Sequence, residues 1–286
     1  MSKIKTILVT GGAGFVGSHL VERLVKDTSN RVISLDNYFT GSRDNHIDGA
    51  EYIEGHTKDI TQHITEKVDI VYHLGEYARV EKSFDDMETV WDFNKAGTFA
   101  VLEFCRKNNV KIVYAGSSTK FGDGGMGRDQ SPYAWTKASN TELVNNYSEW
   151  FGVPYAITYF YNVYGPREIA KGSYATVIGI FKEQFKNKQP ITVVSPGTQK
   201  RNFTHVDDII EGLLVIGEKG EGDGYGLGAE TVYSILDIAK LFSDDIRTLP
   251  ERKGNRMDSS IDISKSKSLG WSPKKSIETY IASIVK

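Results

Sequence analysis

Along the first half of the chain, short apolar runs alternate with longer stretches whose apolar residues recur at helical spacing. The pattern predicts β1 at Thr6–Thr10, then a helix over Phe15–Lys26 that buries Val16, Leu20, Leu24, Val21 and Val25. It continues with β2 at Arg31–Asp36, a short β3 at Glu51–Glu54 and β4 at Asp69–Leu74. A helix over Thr89–Lys107 leads to β5 at Lys111–Gly116, and a helix over Tyr133–Trp150 leads to β6 at Tyr155–Tyr161. Short apolar strands separated by helices imply a parallel sheet covered on both faces, hence an α/β, doubly wound, Rossmann-type sheet. After Gly165-Pro166 the pattern loosens: a helix over Thr176–Lys186, a strand at Ile191–Val194, the stretch Asn202–Val206, and helices near Leu236–Phe242 and Ile277–Ile284. This predicts a dinucleotide-binding domain over 1–165 and a smaller mixed α/β substrate lobe over 166–286, with segments free to interleave.

Composition narrows the classes. Across 286 residues the formal net charge is −2, so no basic excess argues for nucleic acid or an anionic membrane. The single cysteine, Cys105, excludes an intrachain disulfide and a multi-cysteine metal site, and its apolar helical setting favours packing over a reactive thiol. No metal is expected. With no leader and no apolar run long enough to span a bilayer, a cytoplasmic protein is expected.

The turn after β1 reads Thr10-Gly-Gly-Ala-Gly-Phe-Val-Gly17, with Gly11, Gly14 and Gly17 at three-residue spacing. Gly11 suits the tight turn, Gly14 close approach of a pyrophosphate, and Gly17 packing of the helix against the sheet. The helix opening at Phe15 and Val16 offers N–H groups and a positive dipole end to phosphates. Asp36, followed by Asn37, ends β2 where a carboxylate can accept from both ribose hydroxyls and repel a 2′-phosphate, which predicts NAD rather than NADP. Asp59-Ile60 can flank the adenine, and His73-Leu74-Gly75 brings backbone close to the cofactor. An ordinary strand–turn–helix corner, a strand-end cap at Asp36 and a surface aspartate at Asp59 account for the same letters less fully, whereas His73 itself reads as structural rather than catalytic.

Ser131-Pro-Tyr-Ala-Trp-Thr-Lys137 places Tyr133 and Lys137 four residues apart, on one helical face. A tyrosine is a poor base at neutral pH, but an ammonium and a positive nicotinamide favour its phenolate. A lowering of about 3 pKa units corresponds to roughly 4 kcal/mol. Such a phenolate can take a proton from a sugar hydroxyl, while the lysine can also hold the nicotinamide ribose. Tyr and Lys at this spacing also occur on solvated helices. The hydroxyls of Ser117, Ser118 and Thr119, delivered to the ligand-binding edge by β5, favour catalysis.

With these motifs in this order, the chain resembles an extended short-chain dehydrogenase/reductase of the nucleotide-sugar epimerase/dehydratase family, from Ile4 to about Trp271. The resemblance implies that Asn94 supports the active site and the cofactor, and that Asn162-Val-Tyr-Gly-Pro-Arg167 contacts the sugar nucleotide. It implies that Arg201 and Arg252 meet the diphosphate, and that Leu269-Gly-Trp-Ser-Pro is the C-terminal signature. It also implies a homodimer through the helices at 89–107 and 133–150. Dehydrating relatives usually carry an Asp-Glu pair, and decarboxylating ones a glutamate, where this chain has Ser118 and Thr119. That leaves the minimal machinery of a C4 epimerase acting on a nucleotide-diphosphate sugar. A 4,6-dehydratase, 4-reductase or decarboxylase remains the nearer alternative, and a non-catalytic NAD-binding sensor or scaffold the more distant one. Three departures from the family stand out: Glu76 in place of a small residue, Lys120-Phe121, and the short glycine-rich loop from Gly122 to Gln130.

Overall fold

The computed structural model describes residues 4–251, 257–258 and 260–286. Arg252, assigned to the diphosphate by resemblance, lies outside the described residues. Seven strands form one sheet in the order Gly222–Leu227, β6 (Tyr155–Phe160), β5 (Lys111–Ser117), β4 (Ile70–His73), β1 (Lys5–Thr10), β2 (Asn30–Asp36) and β3 (Ala50–Glu54). Every pairing is parallel. All four residues of β4 and the last four of β1 are buried, as a strand covered on both faces requires. The chain direction across the sheet reverses between β1 and β4, the switch point at which doubly wound folds bind ligands.

One face is covered by the helix Phe15–Val25, which buries Leu20 and Val21 over β1 and β2, and the helix Val206–Lys219, which buries Ile209, Leu213 and Ile216 over β5, β6 and the strand Gly222–Leu227. The other face carries Thr98–Asn108 and Pro132–Phe151, with Leu102, Phe104, Cys105, Val144 and Tyr147. A third core, around Phe181, Val193, Phe203, Ile238 and Ile281, lies in the C-terminal part. Cys105 is fully buried and its thiol is pushed up by desolvation, so it packs rather than reacts. Among the described residues no helix is long and apolar enough to cross a membrane.

The pattern had not predicted the helix Val206–Lys219 or the strands Gly222–Leu227, Val232–Ser234 and Ile246–Leu249. The helix carries Gly212 and Gly217 where it crowds Leu227 and Tyr72, and the first strand holds Gly222, Gly224 and Gly226, so propensity argues against both. The expected single helix over 89–107 is divided: Met87–Val90, a π-helical stretch at Trp91–Gly97, then Thr98–Asn108. A π turn adds a residue without altering the apolar spacing enough to be read. The C-terminal signature has a packing role: Trp271 Nε1 donates to the Asp208 carbonyl at 2.8 Å. The backbone N–H groups of Lys274 and Lys275 reach the Asp208 carboxylate at 3.0 and 2.9 Å.

Leu213, fully buried at the centre of the unforeseen helix, provides a stability test. Leu213→Ala should cost about 2–5 kcal/mol in urea unfolding, through lost transfer energy and the residual cavity.

Candidate active site

A cleft of about 480 Å³ opens over the carboxyl ends of β1, β4, β5 and β6. At its nucleotide end the backbone of β1 and that of β4 nearly touch. Gly11, at φ +72°, could carry a Cβ only 2.9 Å from the Gly75 backbone. A Cβ on Gly17 would lie 2.0 Å from the Gly11 carbonyl oxygen. Gly17 therefore lets the helix close onto the turn itself, rather than onto the sheet as the sequence had suggested. The Phe15–Val25 helix starts at Gly14 with no side-chain cap, and Gly14, Phe15, Val16 and Gly17 all line the cleft. Its first-turn N–H groups are thus directed to whatever the cleft holds, and a phosphate satisfies them.

Asp36 and Asn37 line the same wall. The Asp36 carboxylate accepts from Ala13 N at 2.9 Å and Tyr38 N at 2.8 Å, which fixes its direction. Burial pushes its pKa up, against the lowering effect of those backbone donors. Leu74 also lines the cleft, but Asp59 and Ile60 do not: the wall beyond β3 is Gly55, His56 and Thr57. Ile60 is fully buried in the core. The unassisted turn and the oriented carboxylate fit a dinucleotide.

At the other end, Tyr133, Lys137, Ser117 and Ser118 come together on the cleft wall. Ser131 caps the helix Pro132–Phe151 by accepting from Ala134 N at 3.1 Å, and Pro132 opens its first turn. Tyr133 therefore stands at the helix entrance and Lys137 one turn inside it. The Ser117 hydroxyl accepts from Thr119 Oγ1 at 2.9 Å. Asn94 does not line the cleft: it is fully buried in the π-helical stretch, where its side chain accepts from Tyr77 N at 2.7 Å and donates to Thr136 Oγ1 at 3.0 Å. It thereby ties the loop after β4 to the helix Pro132–Phe151.

Lys137 is committed. Its Nζ pairs with the Glu76 carboxylate and donates to the Ala115 carbonyl, and both charged side chains are almost wholly buried. Glu76 Oε1 accepts in addition from Thr98 Oγ1 at 2.8 Å, Tyr114 Oη at 3.0 Å and Asn140 Nδ2 at 3.0 Å. Burial alone would push Glu76 up, but the charge of Lys137 and these donors hold it below the usual carboxylate value. Glu76 is therefore an ionised structural partner with no proton to lend.

A second chamber of about 360 Å³ adjoins the first, sharing Asn162, Thr119, Val80 and Val177 with it. Arg201 lines this chamber only. The Asn162 side chain, on a residue at φ +33°, donates to the Asn202 carbonyl at 2.9 Å. Lys120 and Phe121 face away from both chambers, Lys120 reaching Thr141 and Tyr159 and Phe121 packing on the core. In the glycine-rich loop Gly124 and Gly125 have positive φ, and a Cβ on Gly127 would lie 2.3 Å from the Thr119 carbonyl, so the glycines serve a tight crossing. Asp123 ties that loop to the backbone of Met257 and Asp258 at 3.2 and 3.0 Å.

Residues 7–228 match the model of the NAD-dependent epimerase/dehydratase family. The chain belongs to that family. A relative in Methanocaldococcus jannaschii, provisionally named a UDP-glucose 4-epimerase, is 35% identical, with 98% of this chain and 97% of that protein covered. UDP-glucuronic acid decarboxylase 6 of Arabidopsis thaliana is 31% identical over 94% of this chain and 84% of its own. The solved UDP-glucose 4-epimerase of Thermotoga maritima superposes with a TM-score of 0.90 at 28% identity, covering 98% of this chain and 97% of that one. The family comprises NAD-dependent epimerases, dehydratases and decarboxylases of nucleotide sugars, which share one scaffold.

Two features escaped the sequence reading. Arg79, three residues beyond Glu76, lines the cleft with its Nη1 on the Ala78 carbonyl at 2.7 Å and its Nε on the Tyr174 carbonyl. A cation so soon after a buried strand was the available signal. The second is the setting of His73. Thr10 Oγ1 accepts from the N–H groups of Leu74 and Gly75, so its own proton goes to His73 Nδ1 at 2.7 Å. The His73 proton then sits on Nε2 and is donated to Thr98 Oγ1 at 3.0 Å, which donates in turn to Glu76.

Desolvation pushes the fully buried His73 down to about 4 from 6.5. The unfolded chain takes up this proton near pH 6.5 and the folded chain only near pH 4, so the intervening window favours unfolding. Stability present at pH 7 should decline as the pH falls, by about 2 kcal/mol at pH 5 for this group. Urea unfolding at pH 7, 6 and 5 checks it, since His73→Gln should lack that share of the decline.

Proposed function

We propose that the protein inverts C4 of a nucleotide-diphosphate hexose through a 4-keto intermediate. The observation that carries this reading is the state of the cleft's acids. Among the described residues lining the two chambers the carboxylates are Asp36, Glu76 and Glu81. Asp36 belongs to the nucleotide end, Glu76 is held by Lys137, and Glu81 lies in the outer chamber. Ser118 and Thr119 are not proton carriers near neutral pH, so nothing beside Tyr133 is equipped to remove a C5 proton and expel a 6-hydroxyl. Proton transfer at the 4-hydroxyl is the chemistry the remaining groups support.

Tyr133 takes the 4-hydroxyl proton as the C4 hydrogen departs and returns it when C4 is reduced from the other face. Bound NAD supplies the complementary chemistry, accepting a hydride and giving it back. The Ser117 hydroxyl bridges the sugar oxygen and the phenolate, and Lys137 supports the phenolate and the ribose of the cofactor. Gly11, Gly14, Phe15, Val16 and Gly17 receive the pyrophosphate; Asp36 and Asn37 receive the adenosine ribose, and Leu74 flanks the cofactor. Arg201 and Asn162 anchor the substrate's diphosphate side, and that remote binding energy retains the keto sugar while it turns. The relatives direct the first assays to UDP-glucose and UDP-glucuronic acid.

The aromatic residues left exposed support a homodimer. Trp91, Phe99 and Trp135 are 48%, 53% and 39% exposed on the two helical faces expected to pair. Trp91 and Trp135 stack with centroids 6.1 Å apart, forming part of one apolar patch. A two-fold pairing of these helices would cover it.

The product should have the substrate's mass and differ only at C4, and a C4 deuterium should survive turnover. A product lighter by one water or by carbon dioxide, or solvent deuterium at C5, would overturn the epimerase reading. Tyr133→Phe should lower turnover at least about a hundredfold with NAD binding retained, whereas survival of more than about a tenth of the rate removes Tyr133 as the base. Light scattering tests the dimer: replacing Trp91 and Phe99 together by Glu should yield a folded monomer.

A further inference from the structure

We propose that Glu76 is a dedicated counterion for Lys137, a positioning residue that keeps the buried lysine protonated and aimed past Ala115 into the cleft. The inference rests on the reading of Tyr133 and Lys137 as the catalytic pair. Its starting point is the geometry. An ammonium only 6% exposed faces a carboxylate only 3% exposed, and the other carboxylate oxygen is filled by Thr98, Tyr114 and Asn140. Thr98 and Tyr114 come from elements other than the lysine's own helix, so the carboxylate is held in place by more than the lysine it pairs with. The Lys137 Nζ also lies 4.4 Å from the centroid of the Tyr114 ring, whose hydroxyl donates to the same Glu76.

A lone ammonium in this position would be costly. Taking a charge out of water destabilises it unless it is paired and hydrogen-bonded, and a lysine relieves that cost by losing its proton. Burial pulls Lys137 below its usual value here, and Glu76 opposes that pull. Without Glu76 the lysine would be a neutral amine at pH values where the phenolate and the ribose need an ammonium. A glutamate in place of the family's usual small residue thus serves the lysine rather than the substrate.

The groups around the pair define what a titration would report. Tyr133 and Lys137 lie on the catalytic helix, Tyr114 on β5, His73 on β4, and Lys95 on the π-helical stretch. His73 is neutral near pH 7 and burial pushes the Tyr114 hydroxyl up, so neither supplies charge there. Lys95 is engaged by Ser139 and Asn140 at 3.1 and 2.9 Å. Arg79 is held by the Ala78 and Tyr174 carbonyls, and its titratable neighbours are Tyr133, Tyr77 and Glu168 rather than the pair. Glu76 is therefore the group that decides the protonation of Lys137.

The experiment follows the Lys137 ammonium directly, by NMR titration of the full chain carrying 13C-labelled lysine without added cofactor. Lys137→Met identifies the resonance by its loss. In Glu76→Gln the lysine should titrate at least one pH unit lower than in the unsubstituted protein, and Glu76→Asp should fall between the two. The alkaline limb of kcat should move down by the same amount, while a merely structural role would lower stability and leave the limb in place. An unmoved lysine titration in folded Glu76→Gln overturns the proposal; should that variant not fold, an unmoved titration in Glu76→Asp does so. A Lys137→Met enzyme that keeps its turnover overturns the catalytic reading instead, so the two failures are told apart.

Discussion

From the end of β1 to the helix Pro132–Phe151 runs a buried polar seam: Thr10 to His73, His73 to Thr98, Thr98 to Glu76, Glu76 to Lys137. Its members come from different elements, so the seam fixes β1, β4 and two helices relative to one another behind the cleft wall. A half-satisfied seam would be worse than an apolar core, because each unpaired buried polar group costs about 1–3 kcal/mol. Here each hydroxyl and the imidazole has a donor and an acceptor in one consistent direction. The close passage of Gly11 against Gly75 makes room for it, since Thr10 accepts the two N–H groups that the β4 turn presents.

Much of this was legible because the responsible signals are local. The six strands of the first half follow from apolar runs, and the glycine turn from its spacing after β1. Tyr133 and Lys137 follow from a four-residue interval behind a proline. What stayed hidden depends on contacts distant in the chain. The helix Val206–Lys219 carries Val206, Ile209, Ile210, Leu213 and Ile216 at helical spacing, so its period was legible; Gly212 and Gly217 argue against it by propensity, and their reason shows only in the close approach of Leu227 and Tyr72. Asp59 and Ile60 followed β3 as expected of adenine neighbours, yet the chain turns early and presents Gly55, His56 and Thr57. Glu76 could be seen as a misfit from its letter alone, but its partner lies 61 residues away.

The departures from the family separate by location. Lys120 and Phe121 lie behind the sheet edge, where Lys120 stands over the Tyr159 ring, and they leave the chambers unchanged. Glu76 lies in the loop after β4, and together with Arg79, a neighbour that is not among the departures, it sets the charge of the cleft wall there. In the proposed reaction one steadies the lysine, while the other places a guanidinium near the base.

The strand Gly222–Leu227 completes the sheet beside β6, although it is separated from it by the helices and strands of the third core. On a ribosome this has a temporal meaning. The nucleotide turn emerges before that strand, but β6 stays an open edge, and the half of one sheet face over β5 and β6 stays uncovered, until the segment 206–227 has left the exit tunnel. During that interval the exposed edge is where a nascent chain would pair with the wrong neighbour. The glycines of the final strand, poor for strand propensity, lessen the chance that this segment pairs anywhere before its own sheet is ready.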